Sequence, residues 1–114
     1  MKNFAEFQIT GRVGKIKPFE NATRVTVAAN YRRQDEQGNW SDDTHWNEVV
    51  MFRKSMRNYA AEHVQQGDLV FVRGRLRQDS FTDVGGEERY TTNLIVSDFG
   101  LLAKKQPANG ENAA

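Results

Sequence analysis

His45-Trp46-Asn47-Glu48-Val49-Val50-Met51-Phe52 reads as a strand from its aromatic and β-branched content, and directly after it the hydrophobic period changes. Met56, Tyr59, Ala60 and Val64 fall at helical spacing behind Ser55, a candidate N-cap, and Gly67 stands where a C-terminal glycine cap belongs. The period then returns to two in Leu69-Val70-Phe71-Val72-Arg73-Gly74-Arg75-Leu76-Arg77. A strand, a short helix and a strand therefore occupy the middle of the chain.

Upstream, Phe7-Gln8-Ile9-Thr10-Gly11-Arg12-Val13 alternates apolar and polar, with a glycine where a strand bends or bulges. Arg24 to Tyr31 supplies a second strand, joined to the third through a Gln37-Gly38-Asn39 turn. Downstream, Gly85-Gly86 marks a hairpin into a fifth strand, Arg89 to Val96. Three strands, a helix and two strands is the order of an all-β, five-stranded OB-fold barrel with a short helix between strands 3 and 4. An SH3-like barrel or a small α+β sandwich gives a similar string, and the element order favours the OB barrel. Residues 1–104 form this single domain. Residues 105–114 have no apolar pattern and are expected to form a short disordered tail.

Composition narrows the chemistry. With no cysteine and only His45 and His63, disulfides, metal sites and cofactors are not expected. No stretch reaches membrane-spanning length, and the first residues lack a signal-peptide run, so a cytoplasmic protein is expected. There is no Gly-x-Ser-x-Gly and no Gly-x-x-x-x-Gly-Lys, which argues against an enzyme. The net charge is only +1, but the charge is segregated. Residues 1–34 hold seven bases against two acids, residues 35–48 five acids and no base, and residues 53–77 six bases against two acids.

Two patterns point to a polyanion with flat rings. Trp46 and Phe52 are six residues apart on one strand, hence on one face and roughly 20 Å apart. Pattern alone lets both rings fill a core, but Glu48 lies between them on the same face, and a carboxylate is rarely buried unpaired. On the fourth strand Val70, Val72, Gly74 and Leu76 point one way and Phe71, Arg73, Arg75 and Arg77 the other. Guanidinium groups neutralise phosphates and rings stack bases, so this row beside aromatics suits a single-stranded nucleic acid. Phe81, in the polar stretch Asp79-Ser80-Phe81-Thr82-Asp83, reads as a loop-borne platform.

Thr44-His45-Trp46-Asn47-Glu48-Val49-Val50-Met51-Phe52-Arg53-Lys54, Gly74-Arg75-Leu76-Arg77, Phe81-Thr82-Asp83 and Glu88-Arg89-Tyr90-Thr91-Thr92 resemble, in order and spacing, motifs of the bacterial single-stranded DNA-binding protein family. The resemblance implies an OB fold assembled as a homotetramer, or less commonly a dimer, that binds single-stranded DNA in replication, recombination and repair, near the nucleoid. It also implies stacking on Trp46, Phe52 and Phe81, with Tyr31 a less secure fourth platform, and phosphate contacts from Lys54 and Arg77. The chain departs from the pattern in places. Glu48, Gln66 and Asp79 stand where bases are frequent, which implies weaker or more salt-sensitive binding. Asn47 replaces a histidine at the subunit contact, and the Lys15–Thr23 loop is short. Glu111-Asn112-Ala113-Ala114 is no acidic, aromatic-ended tail, so partners recruited through such a tail are not expected. An RNA-binding OB module and a replication-restart accessory protein of related fold are the rival readings.

Overall fold

A computed structural model describes residues 2–106. The elements run β1 (Glu6–Pro18), β2 (Thr23–Gln34), β3 (Trp40–Met51), α1 (Lys54–His63), β4 (Leu69–Thr82) and β5 (Glu88–Ala103). The strands close into a barrel in the order β1-β2-β3-β5-β4. Every neighbouring pair is antiparallel except β3 with β5, which meet in a short parallel contact at Val49 with Leu94 and Val50 with Ile95. β1 closes the barrel by pairing with β2 through its second half and with β4 through its first, the register shifting between Val13 and Ile16. This is the OB architecture expected from the element order.

The period-two pattern explains the interior. Val13, Val25, Val27, Val49, Met51, Val70, Val72 and Val96 are buried together, and Ala60 of α1 and Val64 just after it join them. Branched side chains on alternating positions, already restricted at χ1, fill a narrow barrel with little rotamer freedom to lose. α1 is too short for intrinsic stability, so its burial against the barrel holds it in place.

Four expectations need correction. α1 begins at Lys54, so Ser55 lies inside it; Arg53 occupies the cap position and makes no side-chain cap bond. Gly67 is not the helix cap: α1 ends at His63, Val64 is already extended, and Gly67 adopts φ +92° within the turn closed by Asp68 N–H to the Gln65 carbonyl. Phe52 lies just past the end of β3, whereas Phe81 lies within β4, opposite Arg89, and is not loop-borne. The hairpin strands also outrun their sequence signals. β2 and β3 stay paired out to Gln34 with Trp40, and β4 and β5 out to Thr82 with Glu88, so both hairpins extend as arms. Gly86, at φ +82°, turns the second arm as the glycine pair predicts.

Asp68 fastens the barrel. Fully buried, it accepts hydrogen bonds through Oδ2 from Lys104 Nζ and the Gln65 N–H, each at 2.8 Å, and through Oδ1 from the Lys105 N–H at 2.8 Å. Its carbonyl accepts from Val13 N–H at 2.9 Å, and Gly67 N–H returns a bond to the Val13 carbonyl at 2.8 Å. The side chain thus joins the turn after α1 to the chain leaving β5, while the backbone of Gly67 and Asp68 ties the same turn to β1. Burial pushes its carboxyl pKa up, but the Lys104 ammonium and the two backbone donors outweigh that and hold it below the usual carboxylate range. Lys105 is therefore anchored, although the sequence places it in the tail; residues 107–114, where the rest of that expectation falls, lie outside the described residues.

Candidate nucleic-acid interface

Strand register places the outward-facing residues with little freedom. Lys17 lies opposite Arg24, Arg24 opposite Val50, Val50 beside Ile95, Ile95 opposite Arg75, and Arg75 opposite Glu6. These partners form one row around the outside of the barrel. Val50 and Ile95 are buried yet stand apart from the core cluster, so they floor this row. Cations flank the floor on both sides: Lys17 and Arg24 across β2 and β1, and Arg75 with Arg77 across β5 and β4.

Trp46 lies on the same outward set of β3, directly opposite Ala28. Its ring reaches across to β1, where a Cβ on Gly14 would collide with the indole and with Thr26 Oγ1. Only glycine at that position lets the ring lie down on the sheet. Trp46 as a residue remains 61% exposed, so one side of its ring rests on the barrel and the other meets solvent. A large ring held in this way presents a flat face to solvent. Phe52 at 47% and Phe81 at 52% exposure present further rings, the first just beyond the Val50 floor and the second toward the end of the β4–β5 arm.

Electrostatic pairing divides the predicted cations. Arg73 is clamped by Asp98, with Nη2 at 2.6 Å and Nε at 3.0 Å from Oδ2, which raises its pKa. Arg77 Nε donates to Asp79 Oδ2 at 3.0 Å, and Asn93 donates to the same oxygen at 2.6 Å. Asp79 is held below its ordinary pKa by those two donors. Lys54 and Arg75, by contrast, make no ion pair among the described residues. Arg73, Arg75 and Arg77 share the outward face as the alternation predicts, but only Arg75 meets solvent without a carboxylate.

Tyr31 is exposed but stands apart. It lies opposite Asp43, three residues from the Ala28–Trp46 pair on each strand, and so faces the other side of the β2–β3 ribbon. There it meets His45 edge-on at 5.5 Å and borders a groove of about 890 Å³ with Gln8, Thr10, His45 and Asn47. Trp40 shares the outward set of Trp46, with the Arg32 guanidinium 5.9 Å from its ring centroid. Arg24 and Gly14 escaped the sequence reading. A glycine interrupting an alternating strand was the signal for the second; the first became visible only through its cross-strand partners. No group of His, Asp and Glu is placed to hold a metal, and no helix is long and apolar enough to cross a membrane, among the described residues.

A closed five-stranded barrel whose outer face joins exposed rings to guanidinium groups defines an OB-type binding domain. Residues 4–102 match the model of the single-strand binding protein family. The chain is 36% identical over 80 residues to a single-stranded DNA-binding protein of Xanthomonas campestris pv. campestris, covering 70% of this chain and 46% of that one. It is 30% identical over 116 residues to single-stranded DNA-binding protein 1 of Xylella fastidiosa, covering 96% of this chain and 85% of the relative. Thus it spans about half the length of the Xanthomonas relative. Among solved structures, a Plasmodium falciparum SSB in complex with ssDNA superposes with a TM-score of 0.72 at 20% identity, covering 90% of this chain and 97% of the other. Yeast mitochondrial Rim1 gives 0.70 at 23% identity over 91% and 100%. The chain belongs to the single-strand binding protein family.

Proposed function

We propose that this chain binds and protects single-stranded DNA, without strong sequence preference, in replication, recombination and repair. The observation that carries this reading is the Trp46 indole laid on Gly14 with its outer side open, on a face flanked by cations on both sides. Bases stack on Trp46, Phe52 and Phe81, because every base has a π-face and none is selected by it. Lys54 and Arg75 neutralise phosphates directly, whereas Arg73 and Arg77 do so after exchanging a carboxylate for a phosphate. Tyr31 joins the path only where the strand passes over the far side of the β2–β3 arm. The role is binding without catalysis, in the cytoplasm around the nucleoid. Assembly is a homotetramer, with the groove bordered by Asn47 at a subunit contact.

Titration with a long thymidine oligonucleotide, a matched uridine oligonucleotide and native mass measurement tests the reading. Tight, DNA-preferring binding by a tetramer is expected. Equal affinity for RNA supports an RNA-binding module instead, and a dimer with weak affinity supports a replication-restart accessory.

The cations should separate in a salt titration. Log affinity falls with log salt by about 0.7 for each single-strand phosphate neutralised. Arg75→Gln is expected to flatten this slope by about that amount. Arg73→Gln should change it less, because Asp98 already neutralises Arg73. Equal slopes for wild type and Arg75→Gln would remove Arg75 from the DNA path.

A further inference from the structure

Between the Trp46 ring of β3 and Phe52 just past its end stands an anion that a DNA-binding face does not call for. Glu48 lies two residues from Trp46 and four from Phe52, directly opposite Thr26. Its Oε2 accepts from Lys17 Nζ at 3.2 Å and its Oε1 from Arg24 Nη1 at 3.2 Å. Two cations from two neighbouring strands thus converge on the two oxygens of one carboxylate. The side chains are 45%, 41% and 36% exposed for Lys17, Arg24 and Glu48, so the cluster is open to a ligand. Neither cation has another carboxylate partner among the described residues.

A phosphodiester presents the same kind of acceptor: two terminal oxygens sharing one negative charge. A strand whose bases stack on Trp46 and Phe52 must carry its backbone past the residues between them, about 7 Å beyond Trp46 along β3. We propose that Lys17 and Arg24 form a phosphate site between the two platforms, and that Glu48 occupies it in the free protein as an internal competitor. The proposal rests on the single-stranded DNA reading above. Binding at this site is an exchange, carboxylate out and phosphate in, so the pair contributes less to affinity than two free cations would. The low pKa of Glu48, caused first by the Lys17 hydrogen bond, agrees with a carboxylate well matched to its cations. Glu48 thereby sets how readily the protein releases the strand.

The test compares four proteins, wild type, Glu48→Gln, Lys17→Gln/Arg24→Gln and the triple variant, by fluorescence anisotropy with a labelled thymidine oligonucleotide across a salt series. Melting curves confirm that each is folded. Glu48→Gln is expected to tighten binding about 3- to 10-fold at low salt and to steepen the salt slope by about 0.7 for each phosphate the freed cations neutralise. In the Lys17→Gln/Arg24→Gln background the same substitution should gain little, since no cations remain to be released. If the gain persists undiminished in that background, Glu48 acts only by repelling the strand, and the phosphate site is overturned. Unchanged or weaker binding by Glu48→Gln also overturns it. A wild-type chain that binds no oligonucleotide would instead remove the underlying reading of the face, a result distinct from either.

Discussion

Trp46→Ala is expected to weaken binding to a thymidine oligonucleotide about 5- to 150-fold, the equivalent of ~1–3 kcal/mol for one lost base stack. Trp46→Phe should lose much less, because a smaller ring still offers a π-face. The melting temperature should move little, since the indole is mostly exposed and lies outside the core cluster. Gly14→Val supplies the complementary experiment. It leaves Trp46 in the sequence but fills the space beneath the ring, so the indole must lift off the sheet. Affinity should fall toward that of Trp46→Ala, while a Gly14→Val/Trp46→Ala double variant should lose little more than either alone. Fully additive losses would show that Gly14 does not act through the ring. Trp46→Ala binding as tightly as wild type, with the oligonucleotide still quenching the fluorescence of the remaining tryptophan, Trp40, would show that the base stacks elsewhere.

The parts of this molecule that were legible in its sequence are those set by neighbours in the chain. Alternation exposed Arg73, Arg75 and Arg77 and buried Val70 and Val72, and Gly85-Gly86 turned the second hairpin, because both depend on a few consecutive residues. Glu48 between Trp46 and Phe52 was read from sequence as a sign that the face is exposed, and it is. Its partners could not be read, for they lie 24 and 31 residues earlier and reach it only through the β1–β2–β3 register. The same holds for the pairing of β3 with β5, which places Arg75 across the buried Val50–Ile95 floor from Arg24. Local signals also failed where tertiary packing overrode them. α1 begins one residue before its candidate cap, since burial of Ala60 and Val64 rather than a cap bond sets where it sits. Tyr31 was carried over from a resemblance that does not specify a face, and one step of strand alternation decides it.

The largest loss of stability is expected from Asp68→Ala. Removing the carboxylate takes away the acceptor for two backbone N–H groups and the Lys104 ammonium at once, in a fully buried position. Lys104 is half exposed and can rehydrate, but the Gln65 and Lys105 amides have no replacement acceptor on that side chain. The cost should be of order 3 kcal/mol, most of it from the stranded donors. Asp68→Asn keeps one acceptor oxygen and should cost less, so the difference between the two variants separates hydrogen bonding from charge. The pH dependence follows in sign. The folded-state pKa of Asp68 lies below its ordinary value near 3.8, so its stabilisation is fully present above that value and is lost as pH falls through the folded pKa. Chemical unfolding from pH 7 down to 3 should therefore show wild type losing stability in the acid range more steeply than Asp68→Asn. Parallel curves would mean that the charge on Asp68 does not contribute, and that the junction of β1, α1 and the end of β5 is held by packing and backbone bonds alone.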